Sequence, residues 1–115
     1  MTRETDRRCL RAFYLRALSF SLLSERPTPD ELIVLRRSLE SLTGDALRLC
    51  DVEVFRAVRE ILEDGATANR CKELHDSIHA CHARLGGFGA SSVNLAERAE
   101  QAGKAVPWYA KGSMA

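Results

Sequence analysis

The 115-residue sequence has no long apolar run, and none approaches the roughly 18 residues that a membrane-spanning helix needs. It also lacks the pattern of a signal peptide. The N-terminal M-T-R-E-T-D-R-R mixes acids with arginines, and no apolar segment ending in small residues follows it. We therefore expect a cytoplasmic protein.

The chain has no C-x-x-C pair, although it contains four cysteines, at positions 9, 50, 71 and 81. In a cytosolic protein such isolated cysteines are expected to be buried as small apolar side chains. The sequence therefore gives no disulfide framework.

A strong net charge is absent as well, because the formal charge is only +1. The overall field is not that of a nucleic-acid-binding protein, yet the arginines are unevenly placed. Since a helix N-terminus is already positive, cations there leave room for an external anion such as a phosphate. A solvated helix end is the alternative interpretation. Our candidates for DNA phosphate contacts are Arg3, Arg7, Arg8 and Arg11.

Helical periodicity extends along most of the chain and predicts an all-α fold of about five helices. We expect a single helical domain over residues 1–103 and a flexible C-terminal arm over residues 104–115. The arm contains the adjacent aromatic residues Trp108 and Tyr109.

The first predicted helix, residues 6–25, is apolar over more than half of its circumference, which exceeds what one packing face requires. In a chain this small, the second side is predicted to contact another copy of the chain. We therefore expect an intertwined helical homodimer. Its predicted interface consists of Leu10, Phe13, Ala17, Leu18, Phe20 and Leu22.

Start and stop signals define the other helices. Thr28, Pro29 and Glu31 form a capping-box pattern for the second helix. Asp51 is expected to interrupt the third helix, residues 45–63, and a short extended piece is possible at Val52–Val54. Thr67 can cap the fourth helix, residues 68–85. A fifth helix is predicted from Ser91 or Ser92 to about residue 102.

The fourth predicted helix holds all three histidines, in C-K-E-L-H-D-S-I-H-A-C-H. His75 and His79 are one turn apart and could supply two metal ligands, but no second pair is evident for a zinc site. Histidines at the boundary of a packing face are the simpler interpretation. We expect no metal and no cofactor.

Two further patterns give weaker alternatives. His79-Ala80-Cys81-His82-Ala83 resembles the H-x-L-K-G site of histidine phosphotransfer domains, with His79 as the candidate phosphosite. Its lysine is replaced by His82 and its glycine by Ala83. The stretch from Leu85 onward, L-G-G-F-G-A-S-S-V-N-L, has a loose likeness to a helix-turn-helix, but it lacks basic base-reading residues apart from Arg98.

Several fragments, in order, resemble the FlhD family, the all-helical small subunit of the flagellar master transcription activator. L-S-F-S-L-L-S-E-R, residues 18–26, is similar to the first-helix pattern of that family. Residues 42–49, followed by Phe55-Arg56, are similar to its L-T region and F-R pair. L-H-D-S-I, residues 74–78, and Arg84-Leu85 are similar to its last part.

This resemblance implies a non-enzymatic, dimeric subunit of a bacterial transcription activator complex. Such subunits bind promoter DNA together with a larger zinc-containing partner, and relatives serve mobile conjugative elements. His75 and His79 would then contact the partner and have no catalytic role. A phosphorelay protein using His79 and a helical adaptor or antagonist that never touches DNA are the alternatives.

Overall fold

The computed structural model describes residues 3–85 and 106–111, and every regular element in these two stretches is a helix. The all-α class predicted from the periodicity is therefore confirmed. The described helices are α1 (Arg3–Ser21), α2 (Pro29–Glu40), α3 (Gly44–Leu49), α4 (Val52–Asp64), α5 (Ala68–Leu85) and α6 (Trp108–Lys111).

Helix α1 is the central element, because it packs against α2, α3 and α5. Its side chains Phe13 and Ala17 are completely buried. Three neighbours surround α1, so its wide apolar surface is covered inside one chain, and a second chain is not needed to remove that surface from water. The other helices contribute the rest of the core, including Leu35, Leu42, Ala46, Val54, Val58, Ile61, Leu74 and Ile78.

Helix α2 begins with the predicted capping box. The backbone N–H of Glu31 donates to the Thr28 hydroxyl at 3.3 Å, and the Thr28 N–H donates to the Glu31 carboxylate at 3.2 Å. Pro29 occupies the first turn, where its missing N–H costs nothing. This local signal therefore positions α2 as the sequence predicts.

The predicted break at Asp51 separates α3 from α4. The Asp51 carboxylate accepts hydrogen bonds from the N–H groups of Glu53 and Val54, at 3.0 and 3.2 Å, and caps α4. Because this cap starts a helix at Val52, the extended piece considered possible for Val52–Val54 is helical instead. Gly65, with φ of +105°, then ends α4 in a conformation that side chains rarely adopt.

Helix α5 starts after Thr67, whose hydroxyl accepts a hydrogen bond from the Arg70 N–H at 3.3 Å. Its apolar stripe packs against α4 and α1. The predicted fifth helix from Ser91 or Ser92 and the helix-turn-helix alternative fall in 86–105, outside the described residues.

The predicted flexible arm over residues 104–115 contains a packed part. Residues 106–111 are described, and their short helix α6 lies against α5. Trp108 and Tyr109 are each half-buried there. The division into a domain over residues 1–103 and an arm over residues 104–115 stays a prediction.

Candidate functional site

The solvent-exposed surface of α1 carries four arginines. Arg7 and Arg11 lie one turn apart, Arg8 and Arg16 follow further round the helix, and all four are exposed. At about 100° per residue they cover about half of the helix circumference, and from Arg7 to Arg16 they span about 14 Å along the axis. We call these four residues the arginine face. The backbone of Arg3, the remaining candidate for a phosphate contact, lies in the first turn of α1.

The described ion pairs of arginine lie elsewhere in the fold. Among the side chains of residues 6–84 and 106–110, they are Arg48–Asp45, Arg59–Glu63 and Arg84–Asp51. Arg7 does border a depression shared with Asp6, Asp45 and Arg48. The arginine face is therefore suited to an anionic ligand that comes from outside the chain.

A groove of opposite charge lies between α4 and α5. Its lining contains four acidic side chains and one arginine, together with the small residues Ala57 and Ser77: Glu53, Arg56, Glu60, Glu73 and Asp76. Polyanions are repelled by such a surface. We call it the acidic groove, and it restricts any contact with nucleic acid to other parts of the molecule.

The histidine pair predicted from the sequence is present on α5. The rings of His75 and His79 have centroids 4.3 Å apart, His79 is exposed, and the His75 side chain is 30% exposed. Nδ1 of His75 lies 3.6 Å from the Asp76 carboxylate. In the described part of the chain, no three histidine, cysteine or acidic side chains come together as metal ligands. Within the described residues, this pair supplies two of the four ligands that a zinc site requires.

The side chains predicted to form a dimer interface lie on the inner side of α1. All six are buried or half-buried within the single chain: Leu10, Phe13, Ala17, Leu18, Phe20 and Leu22. The homodimer stays a prediction. If the fold of one chain is kept, a second chain could contact the large apolar side chains that are exposed among the described residues: Ile33, Val34, Leu47, Leu49, Val52 and Val106.

A polar junction that the sequence analysis missed connects α1, α4 and α5. The Tyr14 hydroxyl accepts a hydrogen bond from the Asp51 N–H at 2.8 Å, and the Asp51 carboxylate pairs with Arg84. Burial raises the pKa of Tyr14 far above its usual range and the pKa of the neighbouring Cys50 to about 12. The only sequence signal was Asp51 as a cap, which gives no hint of partners 37 and 33 positions away.

The junction has no feature of an activated nucleophile. A thiol that attacks must be a thiolate at neutral pH, and burial has the opposite effect on Cys50, Cys71 and Cys81, raising the pKa of each thiol. These three of the four cysteines are buried, as expected from the sequence, whereas Cys9 is half-buried. We therefore assign the Tyr14–Asp51–Arg84 contact a role in stability.

No protein-family model matches the chain, and no curated protein and no solved structure matches it. In residues 3–85 and 106–111, no helix is both long enough and apolar enough to cross a lipid bilayer.

Proposed function

We propose that the chain is a non-enzymatic, cytoplasmic subunit of a bacterial transcription activator complex that binds promoter DNA together with a larger zinc-containing partner. The observation that carries this proposal is the arginine face of α1. Four exposed arginines occupy about 14 Å of one rigid helix whose opposite side is fixed in the core. A double-stranded DNA helix presents one negative charge per about 1.7 Å of its axis, so phosphates are dense enough for exposed arginines at this spacing to contact several of them.

The distribution of charge also supports separate roles for this chain and its partner in DNA binding. Arginine contacts to phosphates position a protein on DNA but do not read its sequence. The acidic groove between Glu53 and Glu73 prevents this chain from surrounding the duplex. Sequence reading is therefore assigned to the zinc-containing partner, and the exposed edge of α5 at His75 and His79 is the proposed contact with that partner.

Self-association is part of the same proposal. Leu49 and Val52 are more than 60% exposed at the junction of α3 and α4, and Ile33 is 47% exposed on α2. Burying such side chains against a second copy is favourable, at about 25 cal/mol per Å² of apolar surface. A homodimer that keeps the fold of the single chain would use these residues.

The arginine face is tested by measuring the binding of the purified chain to a mixed-sequence DNA duplex by fluorescence anisotropy at several salt concentrations. Four phosphate contacts predict that the logarithm of the binding constant falls with the logarithm of salt, with a slope of about −3 to −4. The double variant Arg7→Ala, Arg11→Ala should weaken binding and make the slope shallower by about two.

A matched control removes two exposed arginines elsewhere, Arg37→Ala on α2 and Arg56→Ala in the acidic groove. This variant has the same net charge as the first, so a local contact predicts near wild-type binding. Equal losses in the two double variants would show that net charge alone drives binding. Absence of any salt-dependent binding would favour an adaptor that never touches DNA.

The exposed position of His79 on α5 supports one other function, histidine phosphotransfer. A histidine that receives a phosphoryl group must be accessible to a response regulator. Incubation with a phosphodonor and a response regulator tests this, with His79→Gln and His82→Gln compared. Acid-labile phosphate that is lost only in His79→Gln would establish the phosphorelay and exclude the activator proposal.

A further inference from the structure

Residues 106–111 occupy a defined site at the C-terminal end of α1. The backbone N–H of Trp108 donates to the Leu23 carbonyl at 3.0 Å, and the Tyr109 hydroxyl donates to the Ser21 carbonyl, also at 3.0 Å. Carbonyl groups at the end of a helix have no partner within the helix itself. The segment therefore supplies two donors to acceptors that the fold leaves open.

The aromatic side chains of the segment are held by named neighbours. The guanidinium of Arg26 lies 5.1 Å from the centre of the Trp108 ring, in a cation–π position. The Trp108 and Tyr109 rings contact each other edge to face, with centroids 6.1 Å apart. On α5, Cys71 is completely buried beside Trp108. We call the surface formed by Ser21, Leu23, Arg26 and Cys71 the aromatic dock.

One contact in the dock is imperfect. The indole Nε1–H of Trp108 is buried and has no hydrogen-bond partner within the described residues. It lies beside the Cys71 thiol, which is only a weak acceptor. A buried donor without a good acceptor destabilises the state that buries it. Two hydrogen bonds and the cation–π contact thus stabilise the docked state, and the buried indole N–H destabilises it.

The docked helix also has little stability of its own, because α6 contains only four residues. Its position depends on the dock rather than on helix formation. A segment of this kind is expected to exchange between bound and released states.

We infer that the aromatic dock is a peptide-binding site, and that residues 106–111 are its occupant in cis and block it until they are released. The ligand class follows from what the site accepts here: a short helical segment of a partner protein with an adjacent Trp-Tyr pair that donates to the Ser21 and Leu23 carbonyls. This inference is independent of the arginine face, so it stands or fails separately from the proposed activator function.

Release can be observed directly, because Trp108 is the only tryptophan of the chain. In the full-length protein, Tyr109→Phe removes the hydrogen bond to Ser21, and Arg26→Gln removes the cation over the indole ring. Both variants should shift Trp108 emission to longer wavelength and increase its quenching by acrylamide. Arg37→Gln, an exposed arginine in α2, serves as the matched control and should leave the emission unchanged.

The site itself is tested with a fluorescent synthetic peptide of residues 104–113, added in trans. Full-length Trp108→Ala, whose own segment no longer fits, should bind this peptide. Wild type should bind it about tenfold more weakly if its own segment occupies the dock in about 90% of molecules. A peptide with Trp108 and Tyr109 replaced by Ala should bind neither protein.

The folded state of Trp108→Ala is checked by its thermal unfolding curve, and Tyr109→Phe provides a second, milder opened variant. Peptide binding that is equal in wild type and both variants would overturn the inference, because the native segment would not be blocking the site. Absence of peptide binding to folded Trp108→Ala and to Tyr109→Phe would overturn it as well. An emission wavelength of Trp108 in the wild type equal to that of the free peptide would also overturn the inference.

Discussion

The two sides of α1 differ sharply in burial and in charge. On the inner side, Phe13 and Ala17 have no exposed surface, and Tyr14 is 2% exposed. On the outer side, the arginine face is open to solvent. One helix therefore provides both the centre of the hydrophobic core and the strongest candidate for a ligand contact.

This difference separates stability from function along a single element. Side chains on the inner side are fixed by three neighbouring helices, so their replacement affects the fold. Exposed arginines contribute little to stability, because surface charges are well solvated. A helix whose inner side is immobilised can hold the side chains on its outer side in fixed positions. Substitutions on the two sides should therefore have opposite consequences.

The largest effect is expected for Phe13→Asp on the inner side. Truncating a buried Phe costs about 3–5 kcal/mol, and burying an unpaired carboxylate adds to that cost. Such a loss is comparable with the total stability of a small domain, about 5–15 kcal/mol. We expect the variant to lose its helical circular dichroism at 25 °C or to unfold at much lower temperature.

The same variant separates two interpretations of the inner side. If Phe13 packs only within the chain, Phe13→Asp unfolds the protein, and the conservative Phe13→Leu keeps the fold with a smaller loss. If Phe13 formed a dimer interface instead, Phe13→Asp would give a folded monomer in sedimentation experiments. A folded, monomeric Phe13→Asp would contradict the packing described above.

Local sequence signals predicted the helices well, because each signal acts within a few residues. The Thr28–Glu31 capping box, the Asp51 cap and the Thr67 cap all lie where they were expected. These interactions depend on residues two or three positions apart, so no knowledge of the tertiary fold is needed. The order and type of the helices followed from them and from the apolar periodicity.

The partner of an apolar face was not predictable in the same way. Periodicity gives the width of the apolar surface on α1, but it does not say which element covers it. Here α3, a helix of only six residues separated from α4 by the Asp51 cap, provides a third neighbour. The expected interruption at Asp51 indicates two shorter helices within residues 45–63, but it does not indicate that the first of them packs against α1.

The candidate site was predictable in part. The arginines at the start of the chain were evident from composition, and their exposure agrees with a ligand-binding role without testing it. The aromatic dock was not evident. Leu23 and Trp108 are 85 positions apart, and a hydrogen bond between two backbone groups leaves no pattern in the sequence.

A smaller effect is expected for Tyr14→Phe, also on the inner side. Removing the hydroxyl leaves the Asp51 N–H without its acceptor, which should lower the free energy of unfolding at pH 7 by about 1–3 kcal/mol. The pKa of Tyr14 is raised by burial, so the folded state keeps the proton above pH 10, where the unfolded chain loses it. The contribution of Tyr14 to stability is therefore complete below pH 10 and decreases above it.

Urea unfolding at pH 8 to 11 measures this effect. Wild-type stability should begin to fall near pH 9, because burial raises the pKa of Cys71 from 9.0 to about 11 and of Cys50 to about 12. The free energy of unfolding of Tyr14→Phe should run parallel to that of the wild type up to pH 10. Above pH 10 it should decrease less steeply than that of the wild type. Parallel curves above pH 10 would show that Tyr14 does not titrate differently in the two states.

The smallest effect on stability is expected on the outer side, for the double variant Arg7→Ala, Arg11→Ala. Exposed substitutions away from caps and packed residues usually change the free energy of unfolding by less than about 0.5 kcal/mol. Here the sign is expected to favour the variant slightly, because Ala is the strongest helix former. Thermal and urea unfolding should therefore show a curve equal to that of the wild type or slightly more stable. Together with a shallower salt dependence of DNA binding, this result would place function on the arginine face and stability on the opposite side. A loss of more than about 2 kcal/mol would instead show that the arginines hold the fold, since losses of that size come from buried or networked groups.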